Sequence, residues 1–232
     1  MSLERIWKRE IKRRKRTAAH VERSNRNWPS HAEKIVETFK EFAEIARRDG
    51  VGLSVDEPFW YDPELSRSNN FIGERFLGQT AVVLRFHFVL TGIVVVKRSE
   101  EEGGMSSELE RGAQLIIHHS EHSGAVQVFL DRPWVEGERP KEESLLIDYT
   151  YNTDDLTRQW TEKQIARFLV FNRVESKMLR PSLLDRAKVR LWRFWDIRNR
   201  RGYLDSFQHL LTPWEMVLLT AVAFILGLYF GG

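Results

Sequence analysis

Three histidines and a glutamate crowd one short stretch, His118-His119-Ser120-Glu121-His122. Imidazole and carboxylate both bind Zn²⁺, so a metal site is the first chemistry to consider. Neighbours on a strand point to opposite faces, however, so only one of His118 and His119 can readily join His122. Neither HExxH nor another known ligand spacing is present. The stretch reads better as the solvated tip of a hairpin turning at Ser123-Gly124. A second candidate is His87, beside Arg85 on one strand, with Asp148 on another. A His–Asp pair across a sheet could do acid–base work, but a polar sheet face is the plainer reading. Cys is absent, which removes disulfides, thiolate metal sites and cysteine nucleophiles together. There is no G-x-S-x-G, P-loop or G-x-G-x-x-G, and the glycines at 103–104 lie in an acidic run that would repel phosphate. No catalytic residue, metal or cofactor is therefore expected.

The charges carry more information. Residues 1–28 hold ten Lys/Arg against three Asp/Glu, and residues 180–201 hold eight against two. Residues 29–179 are acidic, eighteen against twenty-six, so an acidic body lies between two cationic segments. Both should seek anionic surfaces. The run Lys12, Arg13, Arg14, Lys15 and Arg16 could contact the phosphates of a nucleic acid. Its interleaved stripe of Leu3, Ile6, Trp7 and Ile11 suits lipid headgroups or a partner protein better. Nucleic acid is the disfavoured partner. This N-terminus has no apolar h-region and is not a secretory signal, a transit peptide being the lesser alternative.

These residues must be positioned by helices and strands that the pattern also predicts. Hydrophobic content of 42% with 12% aromatic residues is enough for a packed core, so one domain with appendages is expected. Residues 2–16 read as a basic helix within an N-terminal arm, 1–28. Ser30 and Glu33 form a capping box that opens a second helix, which Gly50 closes. Residues 51–78 read as a long loop. The segment 79–98 is strand rather than span, because Arg85 and His87 lie mid-segment, and it turns near Thr91-Gly92. Leu84, Phe86, Phe88 and Leu90 are expected on one face of it. Strands follow at 114–118, 125–130 and 145–151, with an acidic connection at 101–110. Thr161 and Gln164 cap a helix running to about Leu179. Residues 29–179 are thus expected to form an α+β domain, an antiparallel meander of four or five strands packed with helices.

Two segments speak about location. Ser182 and Asp185 open an amphipathic helix within 180–202, followed by a linker at 203–212. On a helical wheel Leu183, Leu184, Ala187, Leu191, Trp192, Phe194 and Trp195 share one half, interrupted by Lys188 and Arg198, while Arg186, Arg190 and Arg193 gather opposite with Asp185, Asp196, Val189 and Ile197. Aromatic on one side and Arg-rich on the other suits a helix lying in a membrane interface. The alternative is a domain helix whose apolar face meets the sheet. Then comes 213–232, in which Met216–Gly232 is seventeen residues without a charge, in a chain of mean hydropathy −0.43. About 17–25 residues cross a hydrocarbon core. Trp214 sits at the expected interface, and the upstream arginines fit the positive-inside rule. Ala223, Gly227 and Gly231 recur every fourth residue, which lets helix backbones approach closely.

The sequence therefore predicts a non-enzymatic, tail-anchored, single-pass membrane protein. Its bulk is cytoplasmic and scaffolds or docks a membrane protein partner, or a second copy, at a bilayer with anionic headgroups. Two rivals are a ligand-triggered effector that oligomerises through its span and breaches the bilayer, and a membrane-tethered hydrolase using His87 or the His118–His122 cluster.

Overall fold

The computed structural model describes residues 3–58, 80–97, 104–135, 144–196 and Glu215. Helix α1 spans Leu3–Arg48 without a break, with Pro29 inside it. Two helices, one over residues 2–16 and a second opening at Ser30, are expected from the sequence, and the reason for the difference is tertiary. An internal proline costs about 3 kcal/mol by removing a donor and crowding the carbonyl four residues back. Ser24, Trp28, Ala32, Ile35 and Phe39 form one buried ridge running through that point. Each large side chain so buried stabilises by about 1.5–3 kcal/mol, so continuity wins. Ser30 is exposed and mid-helix, not a cap.

Strands β1 (Leu53–Asp56), β2 (Ala81–Phe86), β5 (Gln114–His119), β6 (Val126–Asp131) and β8 (Leu145–Thr150) form a five-stranded sheet in the order β1-β2-β5-β6-β8. Every pairing is antiparallel. The register explains the core. Leu84 faces Leu115, which faces Leu130; Val82 faces Ile117, which faces Val128. These six share one side of the sheet and are buried under α1 and the next helix. The architecture is α+β, as the sequence predicts.

The other three strands are extensions of these. β3 (Phe88–Lys97) continues β2, β4 (Gly104–Arg111) leads into β5, and β7 (Trp134–Val135) continues β6. They form a smaller sheet in the order β3-β4-β7. At the bend the Phe86 N–H donates to the Ala113 carbonyl and the His87 N–H to the Gly52 carbonyl. Gly112 packs directly on Phe86, where a Cβ would come within 2.2 Å of the phenylalanine Cβ. The result is a finger leaving one end of the domain. Two expectations change here. The sheet turns at His87 rather than at Thr91-Gly92, where instead a bulge interrupts the β3–β4 register and Gly92 takes a positive φ. The acidic connection at 101–110 is largely strand, because β4 pairs with β3 from Gly104 onward.

Helix α2 (Arg158–Glu175) crosses the sheet, stacking Phe168 on Phe86 with ring centroids 5.0 Å apart. Its N-cap is Thr157, whose side chain accepts from the Trp160 N–H. Thr161, expected as the cap, is buried one turn in. Helix α3 (Leu183–Trp195) opens on the predicted capping box of Ser182 and Asp185. No helix among the described residues is long and apolar enough to cross a membrane. The expected linker at 203–212 and nearly all of the expected span at 213–232 lie outside the described residues, as does most of the loop expected at 51–78.

Candidate functional site

Only part of the histidine cluster is the expected solvated tip: Glu121, His122 and Ser123 are exposed in the turn, whereas His118 and His119 belong to β5. His119 ends β5 on its inward face and is 1% exposed. Trp28 of α1 stacks on it at 5.1 Å, and Ser24 Oγ lies 3.3 Å from its Nε2 while donating to the Gly124 carbonyl. Asn25 donates to the Glu121 carbonyl, so α1 grips the β5–β6 turn from both sides. Burial, then the adjacent His118, lowers the His119 pKa to about 4, so this imidazole is neutral. Burial also lowers that of His118, against a hydrogen bond with Gln127. The two rings lie on opposite faces, and His122 lines a different feature on α1. Among the described residues no group of three His, Cys, Asp or Glu could hold a metal.

His87 and Asp148 do not meet either. Two strands, β5 and β6, separate β2 from β8, a gap of about 14 Å at the usual strand spacing. Asp148 is engaged by Gln164 at 2.9 Å and Arg167 at 3.0 Å. His87 stands exposed at the bend, and Arg85 is paired with Asp56.

The basic run lies on a free arm. Residues 3–20 of α1 are almost wholly exposed, beyond the grip at Ser24, and extend about 27 Å at 1.5 Å per residue. Leu3, Ile6 and Trp7 stand exposed on it. Arg14 covers Trp7 at 5.8 Å and pairs with Glu10, while Arg13, Arg14, Thr17 and His122 line an open trough of about 670 Å³. Lys12, Lys15 and Arg16 point into solvent.

Helix α3 holds the most informative geometry. Its inward side is the mixed one: Val189 is fully buried, Arg193 pairs with Glu175, and Asp185 with Arg173. Asp196, also buried, accepts from the Leu146 N–H on β8. Trp192 packs partly against the core. Most of the apolar side faces out. Leu183 is 83% exposed, Leu184 73% and Trp195 64%, with Leu191 beside them. The arginines divide. Arg186 is exposed, Arg193 is held by Glu175, and Arg190 donates twice to Glu215, at 2.8 and 3.0 Å. Glu215 is the residue immediately before the uncharged run. The helix-packing candidates Ala223, Gly227 and Gly231, and the interfacial Trp214, lie outside the described residues.

No family model, curated protein or solved structure matches this chain. Its function must be argued from these surfaces.

Proposed function

We propose that this chain is a non-enzymatic, membrane-anchored protein whose α+β domain docks a partner in a membrane complex. One observation carries the reading: α3 turns a mixed face of Asp185, Val189, Trp192 and Arg193 inward and leaves Leu183, Leu184, Leu191 and Trp195 exposed, with Glu215 paired to its Arg190. A domain helix gains stability by the opposite orientation, since burying a leucine is worth about 1.5–3 kcal/mol. Exposing three leucines and a tryptophan is explained if the apolar face rests on lipid beside the span.

The basic arm then serves the partner. α1 passes the β5–β6 turn at Ser24 and finishes beside Gly52 and the bend, so the arm projects from the opposite end to α3. Val21 and Arg48 are about 40 Å apart along the helix. That is several times the roughly 8 Å reach of charge at physiological salt. A bilayer under α3 therefore lies outside the arm's electrostatic range. A protein with an acidic, apolar-striped surface suits Leu3, Ile6, Trp7 and the run Lys12–Arg16.

The test uses a chain ending at Thr212 with anionic phosphatidylglycerol vesicles. It should retain weak, salt-sensitive flotation, which Leu184→Asp with Leu191→Asp abolishes. Unchanged flotation of that double variant contradicts the reading of α3.

A further inference from the structure

The exposed apolar side chains are concentrated, and α3 is only part of the patch. Phe88 (63% exposed), Val89, Leu90 (61% exposed) and Ile93 stand on β3 of the finger, and Met178 and Leu179 on the turn between α2 and α3. The turn is fastened to the finger. Glu110 of β4, itself buried, accepts from Ser176 Oγ at 2.6 Å and from the Lys177 N–H at 2.9 Å, and Lys177 pairs with Glu108. α3 is fastened to the same end, since Glu175 joins Arg193 of α3 to Arg132 at the β6–β7 bend. Finger, turn and helix thus emerge together.

We propose that the β3–β4 finger is a second lipid-contacting element, seating Phe88, Leu90 and Ile93 at the headgroup–acyl boundary beside α3. The inference rests on the membrane reading above. Three observations support lipid as the occupant. Phe88, Val89 and Leu90 are consecutive and all exposed, so β3 carries uncovered apolar side chains on both of its faces, although β4 beside it is covered on one face, where buried Glu110 meets the Ser176–Lys177 turn. Arg180, Arg186 and Lys188 are exposed around the patch, placing cations where anionic headgroups would lie. Glu215, the residue before the uncharged run Met216–Gly232, pairs with Arg190 of α3, so a bilayer holding that run would have to lie at this end. Among the described residues β3 lies at the edge of its sheet, which also limits depth. An unpaired strand edge is not tolerated in hydrocarbon, so the finger stops at the interface, where water still reaches its backbone.

The absence of native Cys makes a clean test possible. The full chain carrying Leu90→Cys or Arg16→Cys is labelled with a polarity-sensitive fluorophore. It is then reconstituted into phosphatidylcholine–phosphatidylglycerol vesicles containing nitroxide-labelled phosphatidylcholine. With an apolar face seated about 5–10 Å into the boundary, the probe at 90 should lose more than about half its emission and the probe at 16 almost none. Both sites are exposed, and circular dichroism of each labelled chain is the check that it is folded. Equal, weak quenching at both sites in a chain that still resists carbonate overturns the finger proposal and leaves the anchor standing. A blue-shifted but unquenched probe at 90 places the finger against protein, such as a second copy pairing along β3, and also overturns it. Failure of the chain to float with the vesicles removes the anchor reading and the finger proposal together.

Discussion

Acid should loosen the grip of α1 on the β5–β6 turn, and His119 sets the size of the effect. Folded, its pKa is about 4; unfolded, it returns to the ordinary histidine value of 6.5. The folded state thus disfavours the charged imidazole, and the unfolded state binds more protons between these values. Stability is complete above pH 6.5 and falls as the pH drops toward 4. Linkage gives a loss of about 2 kcal/mol between pH 7 and pH 5, and about 3 kcal/mol once the pH is below 4. For a chain of this size a 2 kcal/mol loss lowers Tm by about 4–8 °C. His118 and His31 are also lowered, chiefly by burial, and act in the same direction. Asp131, raised by burial, opposes them at the acid end. His119→Phe isolates the one residue, because phenylalanine keeps the stack on Trp28 and cannot titrate. Thermal unfolding of both proteins in the same mild detergent at pH 7 and pH 5 is the assay. The parent should lose several degrees more than the variant. Equal losses would show that protonation of His119 is not coupled to folding, and the account of the buried stack would be wrong.

Two further substitutions probe other parts of the account. Gly112→Ala forces a Cβ onto Phe86 at the base of the finger and should cost about 1–3 kcal/mol in urea unfolding; no change would mean that the bend relaxes freely. Gly227→Leu should leave membrane insertion intact while dissociating the native complex on a detergent gel, with Val222→Leu doing neither; an unchanged complex would reduce the span to a tether.

Much of the fold is legible in local pattern. Alternation in 81–86, 114–119 and 126–131 places inward residues that the register then aligns. The Ser182–Asp185 box is legible because capping is local. The failures share a cause, which is that long-range contacts overrule local signals. Pro29-Ser30-His31-Ala32-Glu33 has every mark of a helix start, yet the ridge from Ser24 to Phe39 holds the helix through it. The spacing of Trp28, Ala32, Ile35 and Phe39 was the available clue; buried Ser24 gave none, because its partners His119 and Gly124 are about a hundred residues away. The wheel of α3 was legible, but not which side turns inward. That side is chosen by Glu175, Arg173 and Leu146, which no helical period reveals. The finger was hidden for a similar reason, since the turn at His87 depends on Gly52 and Gly112 closing around it.

The central claim is that the uncharged run beginning beside α3 holds the protein in a bilayer. Carbonate extraction of membranes from cells expressing the full chain, beside a chain ending at Thr212, tests it most directly. The account predicts that the full chain stays in the pellet and the shorter one is released to the supernatant. Release of the full chain, or its full solubility without detergent, would contradict it.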